Sequence, residues 1–403
     1  MDSRVFWIWL AQALGPGNRA TGTLLAHFPD AAAIYDAKPE ALAAAGIPET
    51  ACRKLRDHSL QSAQAILNAT LVAGDWILTP EDVLYPGGLR RLEDLPPVLY
   101  CRGIFPDVDS TPALAVVGTR HPTAEGLAEA YALSAGLAAA GMVVVSGGAY
   151  GIDAAAHAGA LRGGGITVSV MACPLSVNYP AENAALRAQI VENGGALVSE
   201  YPPDLPFHCL FPVRNRLLVG LSQGVCLAQT PLRSGARITA RLARENGRDV
   251  YALPDTPSEH HNDGAHAEIR GGATLITCAA DIIEEYEALY PGILDREAAR
   301  QTERAVKGEP PPVAEPAGKR KPTRAAEPTP APETPPMPEA PRALPEDASD
   351  TLKAVYAALT DELCPVDLLA EKTGLPIPTL LVALTELEMG GYATNSAGQQ
   401  YRR

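Results

Sequence analysis

An α/β core built on a parallel sheet is the fold this sequence predicts, and three observations predict it. Short apolar runs recur between residues 115 and 276, helix-forming stretches separate them, and two of the runs end in glycine loops. Near-continuous apolar strands alternating with helices imply a parallel sheet covered on both faces. The expectation is a Rossmann-like domain over 80–290, with strands at Ala115–Gly118, Met142–Ser146, Ile166–Met171, Ala196–Ser199, Val225–Gln229, Val250–Leu253 and Thr274–Ile276. Helices are expected between them, over 123–140, 153–162, 181–193, 211–221, 235–246, 264–271 and 279–288.

Residues 1–75 precede this core and read as short helices at Phe6–Leu14, Asn18–His27, Ala31–Ala37, Pro39–Ala44 and Glu49–Ile66. Leu14-Gly-Pro-Gly-Asn18 sets a glycine turn between two of them, as in a SAM-like or helix-hairpin-helix-like domain. Loop amides in such a turn can hold a DNA phosphate, but a helical packing module explains the pattern better. Strands at Trp76–Thr79 and Val98–Cys101, joined by a turn-rich connector at Tyr85–Arg91, lead into the core. Residues 300–346 are dominated by Pro, Ala, Glu and Lys. Such a segment buries too little apolar surface to fold, so it reads as a linker of polyproline character. Its run Lys319-Arg320-Lys321 is expected to be solvated. Order returns over 347–403, with helices marked by Leu352, Val355 and Leu359, by Val366–Lys372 ending at Gly374, and by Ile377–Leu387, then a β-ribbon over Gly390–Arg402. That is a winged-helix pattern, in which the third helix often reads DNA. Here Thr379, Thr385, Glu386 and Glu388 give it no base, while Leu380, Leu381, Leu384 and Leu387 suit a core or a partner face.

The loops carry the chemistry. Val143–Val145 form a buried strand, Ser146-Gly-Gly-Ala-Tyr-Gly151 cannot continue it, and the following alanines read as a helix with Asp153 as N-cap. Strand, glycine loop and helix N-terminus together suit a phosphate, because unpaired amides point outward and missing Cβ atoms let an anion approach. Gly118, Thr119 and Arg120 end the neighbouring strand, with a cation at the carboxyl edge where α/β sheets bind ligands. One such loop is explained by a tight turn alone; two at neighbouring strand ends point to an anion site.

Charge sharpens this. The net charge of −14 excludes a generally basic coat but not a local field. From Arg214 to Arg248 seven arginines face one acid, Glu245, and no lysine occurs between Lys54 and Lys307. Arginine's planar fork matches phosphate oxygens. Phe211-Pro-Val-Arg-Asn-Arg216 adds an aromatic, which fits a site that tracks a backbone and stacks bases of single strands. Arg237, Arg241, Arg244 and Arg248 read as one helix face and as a solvated stripe of second rank. The seven cysteines are scattered without a CxxC pair, which implies a reducing compartment with neither a disulfide framework nor a zinc site. No stretch is long and apolar enough for a membrane span, so a soluble, cytoplasmic protein is expected, with no cofactor.

Six ordered motifs then carry a resemblance: Val117-Gly-Thr-Arg120; Ser146-Gly-Gly-Ala-Tyr-Gly-Ile-Asp153 with His157 and Gly159-Ala-Leu161; Tyr179-Pro-Ala-Glu-Asn183; Ser199-Glu-Tyr-Pro-Pro203; Phe211-Pro-Val-Arg-Asn-Arg216 with Gly220-Leu-Ser222; and Ser234-Gly-Ala236. The sequence resembles the DNA-processing protein A family (DprA, also called Smf) over nearly its whole length. The resemblance implies single-stranded DNA binding by the Rossmann-like domain, a homodimer, and loading of the RecA recombinase onto incoming strands during natural transformation. It also implies that Gly118, Arg120, Ser146, Gly147, Phe211, Arg214, Asn215, Arg216, Ser234 and Gly235 contact DNA. Departures from the family pattern fall at Met171–Asn178, at Gln229 and Arg233, where glutamate and lysine are usual, and at Asp255, where glycine is usual. The alternative is a nucleotide-processing enzyme of the phosphoribohydrolase type. Its PGGxGTxxE signature is not matched at Pro86-Gly-Gly-Leu-Arg90, and Asp153 and His157, one turn apart, are better explained as a cap and a packing histidine. A passive scaffold would leave the glycine loops and arginines unexplained. The expectation is a binding protein, not an enzyme.

Overall fold

The computed structural model describes residues 2–203, 205, 211–256, 260–313, 349–360, 364–375, 380, 383–384, 387, 392–396 and 400–402. The chain forms two units, residues 1–321 and 322–403.

Six helices open the first unit: α1 (Arg4–Leu14), α2 (Ala20–Leu25), α3 (Ala31–Tyr35), α4 (Pro39–Ala44), α5 (Glu49–Lys54) and α6 (Gln61–Val72). One helix was expected over Glu49–Ile66; the chain breaks it between Lys54 and Gln61. The break has a cause, since the Asp57 carbonyl accepts the Trp9 indole N–H at 2.6 Å and the His58 carbonyl accepts the Tyr35 hydroxyl at 2.8 Å. A continuous helix would have engaged both carbonyls internally. These helices share one apolar core with Ile77, Val98 and Tyr100, so they pack directly on the edge of the sheet. Gly17 faces the sheet domain as well, its amide pointing at the Glu200 carboxylate 3.4 Å away. Glu200 is thus an internal anion facing this glycine turn.

The sheet has nine strands, β1 (Trp76–Leu78), β2 (Leu99–Gly103), β3 (Ala113–Val117), β4 (Val143–Ser146), β5 (Thr167–Val170), β6 (Ala196–Ser199), β7 (Gly224–Leu227), β8 (Asp249–Ala252) and β9 (Thr274–Leu275), in the order β1-β2-β6-β5-β4-β3-β7-β8-β9. From β6 to β9 all pairing is parallel; β1 and β2 add an antiparallel edge. A one-turn helix α7 (Gly87–Arg90) interrupts the connector between β1 and β2. The crossovers are α8 (Ala124–Ala139), α9 (Ile152–Arg162), a 3-10 turn at Ala181–Asn183 running into α10 (Ala184–Glu192), α11 (Phe211–Gly220), α12 (Ala236–Glu245) and α13 (Asp263–Arg270), and α14 (Ala279–Tyr286) and α15 (Arg296–Val306) follow the last strand. Both faces are covered, as the alternation on β3 shows. Ala113, Ala115 and Val117 enter the core under α11 and α12, while Leu114 and Val116 enter the one under α8 and α9. Double burial requires apolar residues on both sides of a strand, and that requirement made these strands readable.

Two expectations are corrected here. Helix α15 runs to Val306, into the stretch read as linker from 300. Only Ala299 and Val306 of its residues are buried, so its polar surface resembles linker sequence, while Asp295 caps it by accepting from the amides of Glu297 and Ala298. Arg248 does not extend the arginine face of α12, because the helix ends at Glu245; Arg248 packs half-buried against the connector near Gly88.

In the second unit α16 (Asp350–Ala358), β10 (Cys364–Pro365), α17 (Val366–Thr373), β11 (Thr394–Ser396) and β12 (Gln400–Arg402) surround a core of Val355, Leu359, Leu369, Leu380, Leu384 and Leu387. The strands form a sheet in the order β10-β12-β11, with β11 and β12 as the expected ribbon. Of the third helix, Leu380, Leu384 and Leu387 are described and buried, whereas Thr379, Leu381, Thr385, Glu386 and Glu388 lie outside the described residues, as does most of the linker.

Candidate functional site

Strand β3 connects onward to β4 on one side, and β7 flanks it on the other, where the chain order jumps. In an open α/β sheet this switch point leaves a crevice at the carboxyl ends of the strands. A cleft of about 280 Å³ lies here, lined by the loop after β3 and by α9, α11 and α12.

The loop after β3 is fixed from both sides. The Thr119 amide donates to the Gln229 carbonyl at 2.8 Å, and the Thr119 carbonyl accepts from the Ile152 amide at 3.1 Å. Gly118 has no room for a side chain: a Cβ there would lie 2.6 Å from Ile152 Cγ1 and 2.7 Å from the Gln229 carbonyl oxygen. Gln229 also braces the start of α8, its side-chain oxygen accepting from the Thr123 amide at 2.8 Å. The departure from glutamate therefore falls on a buried structural residue. Held this way, the loop projects Arg120 into solvent.

Across the cleft α11 begins at Phe211, and the guanidinium carbon of Arg120 stands 4.0 Å from the centre of its ring. The Tyr179 ring lies behind, with centroids 6.2 Å apart. One turn into α11, Arg214 is buried. Its Nη1 donates to the Gly147 carbonyl at 2.6 Å and to the Val170 carbonyl. A Cβ at Gly147 would lie 2.4 Å from Arg214 Nη2 and 2.5 Å from Asp153 Oδ2, so this glycine is what lets the cation and the carboxylate approach. Burial pushes the Asp153 carboxyl up and the Arg214 guanidinium down, and the attraction between the two opposes both shifts. The fourth wall is the start of α12, where Ser234 Oγ accepts from the Ala236 amide at 3.3 Å and exposed Gly235 leaves open space.

Seven of the ten expected residues thus meet at one cleft: Gly118, Arg120, Phe211, Arg214, Asn215, Ser234 and Gly235. Ser146 and Gly147 sit beneath it. The Ser146 hydroxyl donates to the Val116 carbonyl at 2.7 Å, which fastens β4 to β3. Arg216 is turned away. Its Nη2 is bound to Glu200 at 2.6 Å and its Nε lies 3.2 Å from Asp94, both facing the N-terminal helices. Residues two apart on a helix do not share a face, so Arg214 and Arg216 cannot both line the cleft.

Asp153 is also corrected. The N-cap of α9 is Gly151, at φ +70°, where a Cβ would strike the Thr119 carbonyl oxygen at 2.5 Å. Asp153 lies inside the first turn, accepts from the Ala149 amide at 3.3 Å and borders the cleft. A polar residue type suggested a cap; the left-handed backbone took a glycine instead. His157 is fully buried. The Thr167 hydroxyl donates to the Val144 carbonyl, so Nδ1–H of His157 donates to Thr167 Oγ1 at 2.7 Å, and Nε2 finds no partner among the described residues. Burial, with Arg214 nearby, lowers its pKa to about 3.

Arg233 and Thr239 line the cleft without having been among the ten. Arg233 carried a signal, as a cation beside Ser234-Gly235; Thr239 carried none. Among the described residues no group of three His, Cys, Asp or Glu is arranged to hold a metal, and no helix is long and apolar enough to cross a membrane. None of the six described cysteines forms a disulfide.

An open α/β sheet with arginine, an aromatic ring and helix N-termini gathered at its switch point places the chain in the class of Rossmann-like proteins with a phosphate-suited crevice. Comparison with known proteins narrows the class. The model of the family described as DNA recombination-mediator protein A matches residues 76–287, and that of the DprA winged helix domain matches 325–399. Protein Smf of Synechocystis is 32% identical, covering 100% of this chain and 99% of that protein. DNA processing protein DprA of Streptococcus pneumoniae is 40% identical over 51% of this chain and 72% of that protein. The X-ray structure of the pneumococcal protein matches with a TM-score of 0.60, covering 70% of this chain and 97% of that chain at 30% identity. The chain belongs to the DNA recombination-mediator protein A family.

Proposed function

We propose that this protein binds single-stranded DNA in the switch-point cleft and acts as a recombination mediator that protects incoming strands and loads the RecA recombinase during natural transformation, as a homodimer. The observation that carries the reading is Arg120 over Phe211. A cation for the backbone, on a loop the fold braces from both sides, and a ring for a base, at the start of α11, stand side by side across the cleft. Such a pair suits an unpaired strand, because in a duplex the base face is already stacked. Membership of a recombination-mediator family supports the role.

The reading assigns no chemical step to the protein. His157 is shut away from the cleft with its proton fixed on Nδ1, and Asp153 is engaged in neutralising Arg214. The Asp153–His157 pair therefore does not offer a phosphoribohydrolase an acid and a base that both reach the cleft.

Titration of labelled single-stranded and blunt duplex oligonucleotides tests the proposal. Single strands are expected to bind more tightly, with little base preference and with a log–log salt slope of about −0.7 per phosphate neutralised. Equal affinity for duplex, or a constant independent of salt, would overturn it. Hydrolysis of nucleoside monophosphates, ATP or DNA that copurifies with the protein and disappears in Asp153→Asn would replace it with the enzyme reading.

A further inference from the structure

Beside the cleft lies a second groove, of about 570 Å³, walled by α12 and α13. Arg233 and Ser234 line both, so the two are continuous around the start of α12. Four guanidinium groups point into the groove or its rim, from Arg233, Arg237, Arg241 and Arg244. Against them stand two carboxylates. Glu268 of α13 is buried and grips Arg237 at 2.7 Å and Arg244 at 2.5 Å. Glu245 lies 3.6 Å from Arg241 in an exposed pair. The groove keeps two positive charges in excess.

The arrangement differs from a solvated stripe. Two long side chains on a free helix face would sample many rotamers, whereas Glu268 holds Arg237 and Arg244 in place from the opposite wall, leaving guanidinium N–H groups beyond those it binds. Glu268 thus orders the cations without cancelling them. Helical rise sets Arg237 and Arg241 about 6 Å apart along the axis and Arg237 and Arg244 about 10 Å apart. That is a ladder of cations leading away from Ser234, in which the chain from Arg214 to Arg244 contributes no acid and Glu268 of the opposite wall is the carboxylate between the rungs.

From this geometry we infer a second binding site, a phosphodiester track in which the strand leaving the cleft lays successive phosphates along Arg233, Arg237, Arg241 and Arg244. The inference rests on the single-strand reading of the cleft and adds to it a length requirement. A short strand fills the cleft alone; a longer one occupies the track as well. Continuity with the cleft favours a nucleic acid strand over an acidic peptide.

The experiment uses the full chain, with labelled oligothymidylates of about 6 and about 20 nucleotides, and the variants Arg241→Glu and Arg241→Gln. The Arg241 side chain is 68% exposed and its ion-pair partner among the described residues is the i+4 Glu245, so neither change removes a buried contact. Arg241→Glu is expected to weaken the long strand by about tenfold, to leave the short one unchanged, and to flatten the long-strand salt slope by about 0.7 for each phosphate no longer neutralised. Arg241→Gln is expected to give a smaller loss of the same kind. Equal losses on both lengths mean that Arg241 acts as a distant field, and overturn the track. No loss on either length overturns it too, with the cleft reading intact. A parent protein that binds neither oligonucleotide overturns the cleft reading itself. Binding of an oligoglutamate peptide that disappears in Arg241→Glu while strand binding persists assigns the groove to a protein partner instead.

Discussion

The guanidinium carbon of Arg120 lies 4.0 Å from the centre of the Phe211 ring, while that of Arg214, on the helix Phe211 begins, lies 6.0 Å from it. The two cations differ in their freedom. Arg214 is buried among the carbonyls of Gly147 and Val170. Arg120 is exposed and held over the ring by a cation–π contact of about 0.5–1 kcal/mol. A contact that weak yields readily to a phosphate. Arg120 is the mobile ligand of the cleft and Arg214 its fixed floor.

Arg120→Ala is therefore expected to weaken single-strand binding by about tenfold to a hundredfold, the worth of a charge-assisted hydrogen bond of roughly 1.5–3 kcal/mol. Phe211→Leu is expected to cost about 1–3 kcal/mol as one base loses its stacking surface, and Phe211→Trp to retain binding. Full binding by Phe211→Leu would show that no base stacks there.

Arg216→Ala is expected to lower stability by about 3–5 kcal/mol, because it strands Glu200 as a buried carboxylate without its cation. Single-strand affinity, measured below the shifted melting transition, should match the parent. A melting curve that stays in place while affinity drops would return Arg216 to the strand-binding set.

Gly147→Ala tests the floor. Its methyl would displace the Arg214 guanidinium, and overpacking of this kind costs about 1–3 kcal/mol. We expect a folded but less stable protein whose single-strand affinity falls on the order of tenfold, about the weight of one charged hydrogen bond. Unchanged affinity with unchanged melting would mean that the floor contributes nothing.

His157 sets a pH dependence. Folded, it takes a proton only near pH 3; unfolded, near its ordinary 6.5. Between those values the unfolded chain binds the extra proton, so its contribution to stability is complete above pH 6.5 and is lost as pH falls towards 3, by about 1.4 kcal/mol per pH unit. Urea midpoints from about pH 7.5 down to about 5 should fall more steeply for the parent than for His157→Gln. Parallel curves would show that the histidine titrates normally in the fold.

How far the sequence reveals this protein depends on the range of the forces involved. The parallel strands are legible because double burial writes itself as unbroken apolar runs, as in Ala113–Val117. The antiparallel edge is not, since β2 meets β6 across nearly a hundred residues and no local pattern encodes that pairing. Helix α15 hides behind a composition that its two buried residues barely alter. In the site, Gly118 and Arg120 stand out because a crowded backbone demands one and solvent exposes the other. The orientation of Arg216 was available from helical geometry alone, as its two-residue offset from Arg214 turns it to another face. Its partners Asp94 and Glu200 were not, because they belong to distant segments.

Through one carbonyl and one side-chain amide, Gln229 ties the end of β7 to the Thr119 loop and to the start of α8. The Thr119 wall of the cleft is consequently in its working position before any strand arrives, and this loop does not have to be ordered at the moment of capture. Capture on this wall is then limited by encounter and steering rather than by opening. It should proceed in a single concentration-linear phase that slows with salt, with differences in strand affinity appearing as differences in how long the strand stays.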